Sequence, residues 1–319
     1  MPAKKLAIGV VMDPIESIKT KKDSSFAMLL EARRRGATIH YMLQGDLKLL
    51  RGEAFAKSRL LEVRDDPDNW FDLADASEIR LGDLDVILMR KDPPFDMEYI
   101  YSTYILERAE LAGSLVVNRP QSLRDMNEKA YTAWFADCAP ETLVTRSMAD
   151  MKQFLKDRGR IVVKPLDGMG GKSIFVVASG DNNANVIFET LTDNGRRFAM
   201  AQVYIPEIKD GDKRILLVDG EPIPYALARI PSADDNRGNL VMGAAGEGRE
   251  LTDADRRICR VVGPVLRDRG VVFAGLDVIG DYLTEINVTS PTGIRELDAR
   301  FGLNIAGSLF DAIEKRLQT

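Results

Sequence analysis

Glu285 and Asn287 lie two residues apart in the run Leu283-Thr284-Glu285-Ile286-Asn287-Val288. In an extended strand that spacing places both side chains on one face. Upstream, Val272 to Ile279 is a second β-rich run, and Gly280-Asp281 supplies the turn between the two. A three-residue loop, Gly280 to Tyr282, brings Asp277 opposite Glu285 and on its face, with Gly275 leaving room opposite Asn287. A two-residue loop turns Asp277 to the other side. In the first case two carboxylates and an amide oxygen converge, an all-oxygen set for a hard cation such as Mg²⁺. The alternative is a plain hairpin whose acids simply face water.

A second candidate is Asp167-Gly168-Met169-Gly170-Gly171-Lys172-Ser173, between the strand-like runs 161–166 and 174–177. Glycines let backbone N–H groups approach an anion, and Lys164 or Lys172 adds positive charge. The spacing is not that of a Walker A loop, and no helix follows. An ordinary hairpin turn satisfies the same residues. Neither Cys138 nor Cys259 has a base near it in sequence, and the one histidine, His40, is remote. Both cysteines read as buried structural residues, and a His/Cys zinc site is excluded by this inventory.

The elements that must position these residues follow in order. Lys5 to Met12 reads as a buried strand ending at Asp13-Pro14, with a helix capped by Asp23 or Ser24 and closed by Gly36. Strands over 38–43, 85–90 and 114–118, with a helix over 97–112, predict a parallel sheet with helices on its faces. Asp13, Arg90 and Lys91 lie at its carboxyl ends, where ligands gather. Ser122 and Asp125 have the spacing of a capping box that starts a helix near Lys129. Strands over 141–145, 161–166, 174–177 and 197–205 follow, with helices over 147–158 and 185–193. Strands over 215–218 and 224–230 are joined by Asp219-Gly220, and a helix over 252–270 is capped by Thr252. The segment 231–248 is poor in large apolar residues and reads as a mobile loop. Helical segments close the chain from 294 to 317.

With 319 residues, 45% apolar and 29% charged, the chain has room for two or three domains. No apolar run is long enough to span a membrane, and the start lacks a signal-peptide core. Two cysteines fit a reducing cytoplasm. A net charge of −5 gives no reason to expect nucleic acid.

Several stretches together resemble the bacterial glutathione synthetase family of the ATP-grasp superfamily, across essentially the whole chain. They are Lys-Pro-Leu-Asp-Gly-Met-Gly-Gly (164–171), Lys-Asp-Gly-Asp-Lys-Arg (209–214) and Leu-Thr-Glu-Ile-Asn-Val-Thr-Ser-Pro (283–291). With them go Met-Asp-Pro-Ile (12–15), 21–30, 87–96 and 118–125. The resemblance implies an α/β fold of three parts: an N-terminal parallel-sheet domain over 1–125, a central lid domain over 126–203, and a C-terminal mixed α+β domain over 204–319. It implies an ATP-dependent ligase joining γ-glutamylcysteine to glycine, with ATP and Mg²⁺ (or Mn²⁺), cytoplasmic and homo-oligomeric, tetrameric by the same likeness.

In residues, the resemblance implies Lys129 and Lys164 on the nucleotide phosphates, with Gly168, Gly170 and Gly171 in the covering turn. Gln202, Val203, Tyr204 and Ile205 match the hinge that reads adenine, and Asp212 joins the nucleotide contacts. Asp277, Glu285 and Asn287 match the metal ligands. Arg214 and Arg229 match positions near the phosphates and the reacting carboxylate, and Arg237 lies in the matching lid loop. Lys172 stands where well-known members have a small residue, which changes the charge of the turn. Phosphoryl transfer to a carboxylate needs positioning and charge neutralisation more than a protein nucleophile. Two rivals share these motifs: a ligase for a different acid and amine, and a nucleotide-binding regulator without turnover.

Overall fold

The structure is a computed structural model and describes residues 5–168, 170–230 and 245–318. Among the described residues the strands form three sheets. The first combines β1 (Ala7–Val11), β2 (Thr38–Met42), β3 (Leu47–Leu50), β4 (Glu53–Val63), β5 (Phe71–Arg80), β6 (Val86–Met89) and β7 (Leu115–Val117). Its order is β3-β4-β2-β1-β6-β7, with β5 on the free side of β4. The pairs among β2, β1, β6 and β7 are parallel, as the alternation of strand and helix predicts. Strands β3, β4 and β5 extend it antiparallel. That extension was not read from the sequence, because β5 is exposed along most of its length and only Phe71, Leu73 and Ile79 on one face are partly buried.

Helix α1 (Ser24–Arg34) starts where Asp23 accepts the amide of Phe26 at 2.7 Å. Helix α2 (Met97–Leu111) starts the same way from Asp96. The short α3 (Pro120–Asp125) corrects one expectation. Ser122 sits inside the helix rather than at its cap, and its hydroxyl donates to the carbonyl of Arg269 at 2.5 Å. Pro120 at the first helical position starts the helix instead. Lys129 therefore follows this helix, at the entry to a 3₁₀ segment over Ala130–Phe135.

The second sheet is antiparallel, with order β10-β9-β11-β8, from β8 (Thr142–Thr145), β9 (Arg160–Pro165), β10 (Phe175–Ala178) and β11 (Ala199–Val203). Helices α4 (Met148–Arg158) and α5 (Ala184–Thr192) cover it, and their apolar faces meet the sheet in a core of their own around Phe188, Ile161 and Val163. Gly159 ends α4 with φ near 74°, a conformation that favours glycine.

The third sheet, order β14-β13-β12-β15-β16, comprises β12 (Asp212–Val218), β13 (Glu221–Ile230), β14 (Ala245–Glu250), β15 (Phe273–Ile279) and β16 (Tyr282–Asn287). Helix α6 (Asp253–Asp268) begins in a reciprocal capping box between Thr252 and Asp255, and α7 (Ile294–Phe301) and α8 (Ile305–Leu317) follow the hairpin. Buried residues of the first and third sheets merge into shared cores, for example Val11 and Met89 with Ile215 and Leu276. Asn118 joins them by hydrogen bonds to Phe273 O, Val288 O and the amides of Val272 and Phe273.

Of the loop expected over 231–248, residues 231–244 lie outside the described residues, Arg237 among them. Its last four residues are the start of β14, paired with β13. The glycines there suggested a loop; Gly248 instead makes room, since a Cβ would come within 2.7 Å of the Phe301 ring.

Candidate active site

Alternation along four neighbouring strands builds the site. Asp212 and Arg214 are two apart on β12, so they share a face, and their partners across the ladder are Arg229 on β13 and Asp277 on β15. Asp277 in turn faces Glu285 on β16, and Gly275 faces Asn287. One row of charges thus crosses the sheet. The turn between β15 and β16 is Gly280-Asp281, two residues rather than three. A bulge between Asp277 and Val278 absorbs Thr284, so the expected pairing stands although the loop length differs. The Thr284 hydroxyl donates to the carbonyl of Asp277 at 3.1 Å.

Arg214 grips Asp277 with two parallel hydrogen bonds, its Nη2 donating to Oδ2 at 2.9 Å. Arg229 reaches both Asp212 at 2.5 Å and Asp277 at 3.0 Å. Burial alone would raise the Asp277 carboxyl, but the two guanidinium groups outweigh it and hold it well below the usual carboxylate range. Asp212 goes the other way: burial lifts it to about 7, against the pull of Arg229. Its Oδ1 is buried without a hydrogen-bond partner.

Opposite this row stand the two lysines. Lys129 Nζ lies 3.5 Å and Lys164 Nζ 3.6 Å from Glu285 Oε1. Lys129 also donates to Glu128 Oε1 and to the carbonyl of Gly168, the latter at 2.6 Å. Burial opposes ionisation of Glu285, and the two ammonium groups outweigh it and lower its pKa. For Lys129, too, burial is outweighed, by Glu285 and Glu128, and its pKa is raised; for Lys164 burial wins and lowers it.

A cleft of about 350 Å³ is lined from both sides by these groups. Gly168, Gly170 and Gly171 border it, as do Gln202, Val203, Tyr204 and Ile205 and all of Asp212, Arg214, Arg229, Asp277, Glu285 and Asn287. Its apolar lining includes Val162, Ile174, Val176 and Ile208, the kind of surface that takes a flat ring. Two hinge amides are already used within the protein, Val203 N on Glu141 O and Tyr204 N on Arg160 O. Asp92 and Pro93, from the loop after β6, and Thr289, Ser290 and Thr292 also line it. The sequence reading missed Glu128, a half-buried carboxylate beside Lys129 whose pKa is raised by burial and by Glu285. Its only signal was adjacency to a lysine. Arg90 stays out of the cleft, donating to Ser25 Oγ and the carbonyl of Pro291.

Among the described residues no three His, Cys, Asp or Glu side chains gather to hold a metal unaided. The donor set nevertheless fits a hard cation. Glu285 and Asp277 are held ionised, and Asn287 turns its Nδ2 to Asp277 at 3.3 Å, leaving its oxygen for another partner. The Asp277 oxygens are engaged by arginines, so Glu285 and Asn287 are the least committed oxygen donors. Such ions usually take one or two carboxylates and complete their shell with phosphate oxygens and water. Cys138 and Cys259 are both buried, and burial pushes the Cys259 thiol up to about 12, so neither is a nucleophile.

Comparison with known proteins agrees with this geometry. A family model described as the prokaryotic glutathione synthetase ATP-grasp domain matches residues 128–302, and one for the N-terminal domain of the same enzymes matches 6–124. The chain belongs to the prokaryotic glutathione synthetase family. It is 61% identical over 313 residues to the glutathione synthetase of Escherichia coli, covering 98% of this chain and 99% of that one. The glutathione synthetase of Citrobacter rodentium is 60% identical with the same coverage. Among solved structures, D-cycloserine synthetase DcsG superposes with a TM-score of 0.68 at 17% identity, covering 98% of this chain and all of that one. A RimK-domain ATP-grasp protein from Sphaerobacter thermophilus gives 0.62 at 16%, covering 96% of this chain and 98% of that one. At those identities the likeness concerns the fold, which is the ATP-grasp fold. Family members of this kind are ligases that use ATP and a divalent metal.

Proposed function

We propose that this chain joins γ-L-glutamyl-L-cysteine to glycine at the expense of ATP, giving glutathione, ADP and phosphate. Full-length identity of 61% to curated glutathione synthetases supports the substrates. The observation that carries the reading is the convergence of Lys129 and Lys164 on Glu285, facing the Asp277–Arg214–Arg229 row across one cleft.

A carboxylate resists attack by an amine, so it must first be activated. One of its oxygens attacks the γ-phosphorus of ATP, ADP leaves with the bond electrons, and an acyl phosphate results. The neutral glycine amine then attacks the carbonyl carbon and phosphate departs. Lys129 and Lys164 neutralise the phosphate charge, and Arg229, beyond what it gives Asp212 and Asp277, faces the charge that builds on the transferring group. Asp277, Glu285 and Asn287 would hold the divalent cation, Mg²⁺ or Mn²⁺, which would supply positive charge against the phosphates. The apolar slot beside Gln202 to Ile205 takes the adenine, its backbone contacts falling to groups other than the amides of Val203 and Tyr204. Gly168 to Gly171, with the segment that includes Arg237, keep water from the acyl phosphate.

The division at 125 and 203 belongs to this proposal, with the central sheet, which has its own core, as the lid. So does the cytoplasm as its place; no helix among the described residues is long and apolar enough to cross a membrane. Exposed Met97, Tyr101, Tyr104 and Leu111 on α2 support assembly into a homo-oligomer, taken as a tetramer by likeness to the family; a monomer mass in light scattering would refute it.

The experiment is direct. Incubation with ATP, Mg²⁺, γ-glutamylcysteine and glycine should yield the tripeptide by mass spectrometry, with one ADP per peptide. ADP with a different acid or amine only would mark a different ligase, and no ADP with any pair would mark a nucleotide binder. Parallel runs with Mn²⁺ rank the two metals.

A further inference from the structure

Asn127 stands outside the charge row and no role has been given to it, yet its side chain touches both halves of the phosphate machinery. Its Oδ1 accepts the amides of Lys129 at 3.1 Å and Ala130 at 2.9 Å, which starts the 3₁₀ segment that carries Lys129. Its Nδ2 donates to the carbonyl of Leu166 at 3.0 Å, at the exit of β9, two residues beyond Lys164. Beside it Lys129 Nζ donates to the carbonyl of Gly168. The root of the glycine-rich turn is thereby held at two points by the 127–129 segment. This amide binds the backbone both at Lys129 and just beyond the strand that carries Lys164.

We propose that Asn127 is a positioning residue that fixes Leu166 and Gly168, the latter on the border of the cleft, against the segment bearing Lys129, so that this border shields the activated acyl group from water. The inference rests on the ligase reading above. The cap and the clamp use different ends of one amide, so they can be separated. Serine at 127 keeps an oxygen able to accept the Lys129 and Ala130 amides but is too short to reach Leu166 O. Alanine loses both contacts.

The test measures ADP and tripeptide together, with KM for ATP, in wild type, Asn127→Ser and Asn127→Ala. Wild type should give one ADP per peptide. In both variants the ratio should rise at least twofold and KM for ATP several-fold, while ADP turnover stays within about threefold. The ratio is a property of each active molecule, so a partly unfolded sample leaves it unchanged. Wild-type ratio and KM in both variants overturn the proposal. A normal Asn127→Ser beside an altered Asn127→Ala assigns the effect to the cap alone and overturns it equally. Absence of tripeptide from wild type would instead overturn the ligase reading.

Discussion

Replacing Arg229 by alanine separates two consequences of one side chain. The guanidinium is buried and serves two carboxylates, Asp212 and Asp277. Removing one partner of a buried pair costs about 3–5 kcal/mol when the other charge is stranded. Here neither acid is fully stranded. Asp277 keeps its fork to Arg214, and Asp212, already raised to about 7, rises further and takes up a proton. The loss of stability should therefore fall near the lower end, about 3 kcal/mol at neutral pH. Its sign with pH follows. A carboxyl whose folded pKa is raised stabilises the fold below its unfolded value, and this is lost as pH rises through the folded value. The variant should thus lose stability more steeply than wild type between pH 7 and 9, read from denaturant midpoints. For catalysis, deleting a charge-stabilising donor costs about 3–4 kcal/mol, about 10²–10³ in kcat. ATP keeps Lys129, Lys164 and the apolar slot, so its KM should move only a few-fold. Initial rates over a range of ATP, with the fold verified by circular dichroism, provide the measurement. A raised KM for ATP with kcat preserved would show that Arg229 binds nucleotide and does not act on the transferring group.

Glu285→Gln keeps the shape but removes the charge that both lysines face; turnover should fall at least 10²-fold with the melting temperature within a few degrees, and near-normal turnover would remove Glu285 from the metal role. Gly275→Ala places a Cβ about 2.8 Å from Arg214 Cδ and 3.0 Å from Pro291 Cβ. Arg214 must leave its fork with Asp277, so we expect about 1–3 kcal/mol of destabilisation and a tenfold or greater drop in kcat, checked by unfolding and initial rates. Asp298, half-buried and accepting the amide of Ile305, is raised by burial to about 6. It stabilises the fold below about pH 4 and loses this as pH rises through 6, so Asp298→Asn should gain about 1 kcal/mol relative to wild type at pH 8 but not at pH 4.

Legibility in the sequence followed apolar period and local chemistry. Strands β1, β6 and β7 were visible as unbroken apolar runs because both faces are largely buried. Asp23 and Thr252 were readable as caps since a cap acts within three residues. Strands β4 and β5 were not, being polar on their outer faces and paired chiefly with each other. At the site, the contacts from Arg214 to Asp277 and from Lys129 to Gly168 span 63 and 39 residues, beyond any spacing rule. Arg214 was named through likeness to a family, and Asn127 and Glu128 were not named at all. Ser122 shows the opposite error: the cap pattern was present, but the proline two residues earlier had already started the helix, and the hydroxyl was free to bind Arg269.

The β15–β16 hairpin shows what a period can still reveal when loop length misleads. Counted from the two-residue turn alone, Tyr282 faces Ile279 and Leu283 faces Val278, so Asp277 would meet Thr284 and Glu285 would meet Leu276. Glu285 would then point into the core, an uncompensated charge among aliphatic groups and a severe penalty. The apolar residues Leu283, Ile286 and Val288, all buried in one core, are spaced by three and then two. A regular strand cannot put positions three apart on one face; one extra residue between them can. The broken period therefore implies the bulge, and Thr284, whose hydroxyl reaches back to the Asp277 carbonyl, is the residue it absorbs. Burial of the aliphatic face sets the register. The register in turn brings Glu285 and Asn287 beside Asp277, so the site's charge geometry is enforced by the packing on the other side of the sheet.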